Sequence, residues 1–273
     1  MKQEIWNGVC LELMKDIPDG SIDLVLTDPP YNIARKNNFH TMGRSGIDFG
    51  EWDKDADIFS YIEECFRVLG KNGSFVVFND WKNLGDIVKV AEHFGFVTKD
   101  MLRLEKTNPM PRNRDRRYIT DYECAIWFTM PNAKWVFNRQ DINYQRPKFI
   151  CSIDKGLHPT QKSLKLMEEL IKIHSNESDI ILDCFAGSGT TGLAAKNLNR
   201  QFVLIEKEKE YYDICLERLK FEETLNAGKN ETVEVKDFMR NGKLVKGFNR
   251  ERAFENGRRS SQNRKKKEKE ESE

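Results

Sequence analysis

The chain has 273 residues, a formal net charge of +1 and 33% charged residues. That length gives room for one large domain, or one domain with an insertion, and the balanced charge excludes a partner chosen by global electrostatics alone. The six cysteines are scattered without a CxxC pair and the four histidines lack ligand spacing, so no zinc site is expected. Isolated cysteines, a polar N-terminus and no long apolar run point to a cytoplasmic chain without a membrane span.

In chain order, residues 22–26 read as a buried strand, and Asp28-Pro29-Pro30-Tyr31 follows it directly. An acid, two prolines and an aromatic ring make poor packing material. The prolines lack N–H groups and fix a turn, which leaves a carboxylate and a ring at the strand's exit. Such a pair can grip a flat, hydrogen-bonding substrate such as a nucleobase. Residues 34–53 form a long, polar, glycine-containing stretch, the mark of a functional or mobile loop.

An amphipathic helix is predicted over 58–69, then a turn at 71–73 and a strand over 74–78. A helix over 84–94 closes at Gly95, and 96–104 with 123–129 read as a strand pair. Between 107 and 158 lie Arg112, Arg114, Arg116, Arg117, Lys134, Arg139, Arg146 and Lys148, against few acids. Aromatic residues interleave with them, and Trp127 and Phe137 among these are expected in the core. A helix over 163–174, a strand over 179–184, a helix over 191–198, a strand over 202–205 and a helix over 211–219 complete an α/β pattern with a mostly parallel sheet. Beyond residue 222 the composition turns polar, and a disordered tail is expected.

The stretch from Asp183 to Gly192 follows a strand and opens a helix. Residues 187–192 satisfy G-x-G-x-x-G, and Glu206 ends the next strand at the expected distance. Glycines allow close approach to the backbone, the helix N-terminus favours an anion, and Glu206 can accept from ribose hydroxyls. Those contacts suit NAD and S-adenosylmethionine equally. The Asp28–Tyr31 motif decides between them. If its strand neighbours the glycine strand, cofactor and base meet face to face; a dehydrogenase has no use for that clamp, whereas methyl transfer to an exocyclic amine does.

Together, Asp28-Pro29-Pro30-Tyr31 and Phe185-Ala186-Gly187-Ser188-Gly189 resemble the amino-methyltransferases of DNA. The tetrapeptide comes first, the cofactor glycines last, and a basic segment lies between, an order similar to the β class. Lys106-Thr107-Asn108-Pro109-Met110-Pro111 and His158-Pro159-Thr160-Gln161-Lys162 are further matches, and residues 46–53 look like adenine-modifying members of restriction–modification systems. The resemblance covers about residues 4–222. It implies a Rossmann-like class I methyltransferase fold with a mostly parallel seven-stranded sheet, helices on both faces and a circularly permuted motif order. The domain would span 1–222, with a target-recognition segment inserted at 107–157 and a tail at 223–273.

By the same resemblance, Asp183, Phe185, Gly187, Ser188, Gly189, Thr190 and Glu206 would bind S-adenosyl-L-methionine, with Thr160 and Lys162 at its methionine end. Asp28 would accept from the target N6, Pro29 or Pro30 would offer a carbonyl, and Tyr31 would stack on the base. Arg112, Arg114, Arg116 and Arg117 would contact double-stranded DNA. The chain departs from the family at Val9, where an acid usually reads the cofactor adenine; either Glu12 substitutes or packing holds that pocket. The activity implied is adenine-N6 methylation. Cytosine-N4 methylation is the nearest alternative, usually with serine in place of Asp28, and a non-catalytic DNA-binding protein on the same fold is another. A homodimer and a cognate restriction endonuclease stay open as partners, and no metal is implied.

Overall fold

The computed structural model describes residues 3–31, 59–109, 115–116, 118–141, 143–152 and 162–219, with the backbone of 238–240 and 243–245. Eight strands form one sheet in the order β1-β8-β7-β2-β3-β5-β4-β6. They are β1 (Gln3–Asn7), β2 (Ile22–Thr27), β3 (Leu69–Asn79), β4 (Val97–Lys106), β5 (Tyr122–Thr129), β6 (Lys148–Cys151), β7 (Ile180–Asp183) and β8 (Gln201–Glu206). All neighbours pair in parallel except β5, which runs against both β3 and β4.

Period-two alternation sorts the strand side chains onto two faces. Val25, Phe75, Val77, Val203 and Ile205 point to one core, shared with α1 (Cys10–Leu13), α2 (Tyr61–Val68) and α3 (Leu84–Phe94). Leu24, Leu26, Val76, Phe78, Phe202 and Leu204 point to the other, shared with α4 (Leu164–His174), α5 (Thr190–Asn197) and α6 (Lys209–Arg218). Burial on both faces is why the central strands read as continuous apolar runs. The helices cover them with narrower stripes: α2 buries Tyr61, Ile62, Cys65 and Val68 while Glu63 stays exposed. Gly95 ends α3 at φ 104°, a left-handed cap suited to glycine.

The sheet has eight strands, not the seven expected. The strands not read from the sequence are β1 and β6, both at the sheet edges; β6 is only four residues long, with Lys148 and Ile150 exposed. Segment 107–157 supplies both β5 and β6, so part of it belongs to the sheet. The turn expected at 71–73 lies inside β3, which starts at Leu69 and pairs with β2 through a register shift between Ile22 and Leu24. Within 223–273, Phe238–Arg240 and Lys243–Val245 form a short antiparallel pair; the rest lies outside the described residues, as does 34–53. Among the described residues no helix is long and apolar enough to cross a membrane.

Candidate active site

β2 and β7 are hydrogen-bonded parallel neighbours, with Leu24 opposite Ile181 and Val25 opposite Leu182. Their carboxyl ends therefore emerge side by side where the strand order reverses, the usual ligand position in an open α/β sheet. The condition set by the sequence is met: Asp28-Pro29-Pro30-Tyr31 leaves β2 beside the turn that leaves β7.

One buried carboxylate ties the two exits. Asp183, 3% exposed, accepts the Thr27 hydroxyl (2.8 Å) and the Phe185 N–H (3.1 Å) on Oδ1, and the Thr191 hydroxyl (2.5 Å) on Oδ2. Burial pushes its pKa up to about 6, against the pull of those donors. Asp183 thus holds three donors within the protein and braces the turn from behind.

The turn divides its residues between ligand space and packing. Gly189 has φ 75°, and a Cβ there would lie 2.5 Å from the sulfur of Cys215 on α6. Its missing side chain serves the packing of α6. Ser188 and Thr190 also turn to α6, where Arg218 donates to Ser188 Oγ (3.1 Å) and Thr190 Oγ1 (2.9 Å). Phe185 remains half-buried, edge-on to Tyr61 with ring centroids 5.2 Å apart. Gly187 donates its N–H to Glu206 Oε2 (2.7 Å), and Glu208 donates to Oε1 (2.8 Å). Glu206 is 8% exposed, and burial raises its pKa to about 7 despite those two donors. Beside it, the N–H of Gly8 and the side-chain amide of Asn7 donate to the Glu206 carbonyl (3.0 and 2.9 Å), which places exposed Val9 near the same edge.

At the exit of β2 Pro29 is buried, and Asp28, Pro30 and Tyr31 are partly open. The Tyr31 hydroxyl donates to Asp28 Oδ1 (2.6 Å), and Asn83 donates to the Tyr31 carbonyl (2.9 Å). Burial, then the Asp28 carboxylate, raises the Tyr31 pKa well above the usual phenol, so the hydroxyl keeps its proton.

Lys162, expected at the methionine end of a cofactor, stands among this group. Its ammonium lies 2.7 Å from Asp28 Oδ2, 3.1 Å from Glu123 Oε2 and 3.2 Å from the Tyr31 hydroxyl. Burial opposes its charge, but the carboxylates of Asp28 and Glu123 outweigh burial and hold its pKa well above the usual lysine value. Glu123 in turn sits 2.5 Å from Lys106; although burial opposes ionisation, Lys162 and Lys106 lower its pKa to about 2. Sequence reading missed Glu123, Asn83 and Thr27 here, and gave Lys106 no role beyond its place in a matching motif. The available signal was an acid opening an otherwise apolar strand, in Tyr122-Glu123-Cys124-Ala125-Ile126.

The other expected site residues fare differently. Arg116 is exposed, whereas Arg112, Arg114, Arg117 and Thr160 lie outside the described residues. Trp127 is buried as expected, and Phe137 stacks on it (5.4 Å) while 41% exposed. Tyr118 and Tyr144 are 98% and 81% exposed, open to a partner. The arrangement as a whole offers a braced carboxylate and ring beside a buried acid and a glycine turn.

A model of the DNA methylase family for N6 and N4 enzymes matches residues 22–217. The Type II methyltransferase M.HinfI of Haemophilus influenzae is 31% identical over 244 residues, covering 79% of this chain and 68% of that protein. The Type II methyltransferase M2.MboI of Moraxella bovis is 29% identical over 235 residues, covering 78% and 86%. The crystal structure of an M1.HpyAVI–SAM complex superposes with a TM-score of 0.67 at 40% identity, covering 80% of this chain and all (100%) of that one. The cytosine-N4-specific PvuII DNA methyltransferase shares the fold, with a TM-score of 0.66 at 21% identity over 84% and 89% of the two chains.

Proposed function

We propose, from the premise that this chain belongs to the DNA methylase family, that it methylates the N6 amine of a flipped-out adenine in DNA, using S-adenosyl-L-methionine. What carries this reading is Asp28 at the exit of β2, one strand from the Phe185–Gly189 turn on β7.

The cofactor is tested by Glu206. Each of its carboxylate oxygens holds one backbone N–H, which leaves a lone pair on each. A buried acid with its pKa raised to about 7 gains from further donors, and a ribose diol supplies two. The residues fit. Glu206 would hold the ribose, Gly187 the backbone approach, and Phe185 an apolar wall; Asp183, Ser188, Gly189 and Thr190 would support them from behind. The bound cofactor supplies an electrophilic sulfonium methyl.

The exocyclic amine of adenine is a poor nucleophile, because its lone pair is delocalised into the ring. Asp28 accepts one of its N–H bonds and a proline carbonyl, of Pro29 or Pro30, the other, which turns the lone pair out of the ring plane. Oδ1 and Oδ2 of Asp28 hold one donor each, so the carboxylate keeps capacity for the amine. The work is positioning more than acid–base force, and after transfer Asp28 is the acceptor in reach of the proton the amine sheds. Flipping the base costs a few kcal/mol, and stacking on Tyr31, about 1–3 kcal/mol, offsets part of it. Arg112, Arg114, Arg116 and Arg117 would meet phosphates, which carry affinity but no sequence information.

Incubation with labelled cofactor and plasmid DNA, followed by nucleoside mass spectrometry, tests the reading. N6-methyladenine is the expected product. N4-methylcytosine would move the substrate to cytosine, and no label in DNA would leave a non-catalytic DNA-binding protein.

A further inference from the structure

Glu123 belongs to neither the base grip nor the cofactor turn, yet four charges line up through it. Lys106 on β4 lies 2.5 Å from Glu123 Oε1, and Lys162 lies 3.1 Å from Oε2 and then 2.7 Å from Asp28 Oδ2. The signs alternate and cancel, so the row can be held partly buried without a net charge. Lys162 has three N–H groups and three partners: Asp28, Glu123 and the Tyr31 hydroxyl. Its side chain is 9% exposed, and its ammonium lies 5.0 Å from the Phe78 ring.

Each partner limits where that ammonium can go. Without Glu123, Lys162 would keep only the two groups proposed to receive the base, and a long lysine side chain has rotamers to spare. It could then collapse onto Asp28 and take the lone pairs the amine needs. Glu123 sits on β5, two strands from β2, so its own position is fixed by the sheet rather than by the loop that carries Asp28.

We propose that Glu123 is a positioning residue for methyl transfer: acting through Lys162, it fixes the Asp28 carboxylate and the Tyr31 ring in the orientation that receives the target amine. The inference rests on Asp28 as the amine acceptor, so its test includes Asp28 itself.

The full-length chain is assayed as Glu123→Gln, Lys162→Met, the double variant and Asp28→Ala, by turnover, by KM for cofactor and DNA, and by thermal melting. Glu123→Gln is expected to lower kcat by on the order of ten- to hundredfold and to shift the KM for cofactor by less than about twofold. Because Glu123 acts through Lys162, the double variant should be no slower than Lys162→Met alone. Wild-type kcat in Glu123→Gln beside an inactive Asp28→Ala overturns this inference alone. So do additive losses in the double variant, or a loss confined to the KM for cofactor. Full turnover in Asp28→Ala overturns the base-grip reading, and this inference with it.

Discussion

The hydroxyl of Thr27 donates to Oδ1 of Asp183 at 2.8 Å, across 156 positions of sequence. That bond closes the ends of β2 and β7, so the strand that presents Asp28 and the strand that presents Phe185 share one buried carboxylate. Thr191, at the start of α5, holds the other oxygen. The distance between the two motifs is thereby set by one buried side chain.

Thr27→Val keeps the shape and removes the donor. Asp183, already pushed up to about 6 by burial, then loses a partner. We expect a loss of about 1–2 kcal/mol in urea unfolding and a lower kcat, since both motifs hang on the same bond. Wild-type stability in this variant would show that the tie is dispensable.

Asp28→Ala should abolish methyl transfer while cofactor binding stays within a few-fold of wild type, about 1 kcal/mol or less. Asp28 contacts Tyr31 and Lys162, whereas Glu206 and Gly187 contact each other. Calorimetry with the cofactor, beside label incorporation into DNA, separates the two effects. Loss of both would place Asp28 in the cofactor pocket instead.

Cofactor affinity should depend on pH through Glu206, whose pKa burial raises to about 7. Ribose hydroxyls donate better to the carboxylate than to the acid, so binding lowers this pKa. The gain is complete above about pH 7 and is lost as pH falls through it, by at most about tenfold in Kd per pH unit. Titration calorimetry from pH 6 to 8 should show this slope in the wild type and a flat line in Glu206→Gln.

Gly189→Ala combines two penalties. Its φ of 75° is left-handed, which costs a non-glycine residue about 1 kcal/mol, and its Cβ would meet Cys215 at 2.5 Å. Overpacking of that kind adds about 1–3 kcal/mol. Pairing it with Cys215→Ala should recover the second part but not the first, which melting temperatures of the four proteins would show.

His174 lies against Trp127 (4.7 Å) and Phe137 (6.0 Å), and its buried Nδ1 has no hydrogen-bond partner among the described residues. Burial lowers its pKa to about 4. A depressed histidine is neutral in the fold and charged in the unfolded chain between those two pKa values. Its stabilising effect is therefore present above about pH 6.5 and lost as pH falls toward 4, by about 2 kcal/mol between pH 7 and 5. Glu206 and Asp183, whose pKa values are raised, act in the opposite sense over the same range, so the measurable quantity is the difference from His174→Phe. That variant should gain on the wild type as pH drops; parallel curves would contradict the assignment.

The central strands, the long helices and both motifs were legible in the sequence, for physical reasons. A strand buried on both faces must be apolar throughout, as Leu24, Val25 and Leu26 are, and Gly95 marks a helix end. β1 and β6 were not legible: they are short edge strands, five and four residues long, and too little of each is buried to set a pattern. The order of the motifs and the residues Asp28, Tyr31, Phe185 and Glu206 carry the resemblance to the amino-methyltransferases of DNA, so DNA methylation was legible in the sequence through that resemblance.

Three-dimensional packing decided what each residue works against. The resemblance implies a place for Lys162 beside the cofactor; packing adds that its ammonium meets Asp28 and Glu123, with β5 two strands from β2. Gly189 reads as a turn glycine open to a ligand, and packing adds that the space of its missing Cβ is taken by Cys215. Local sequence determines which groups are polar, rigid or small; only the tertiary fold, with β5 two strands from β2 and residue 162 just ahead of α4, brings residues 28, 123 and 162 within a few ångströms, where their charges fix one another.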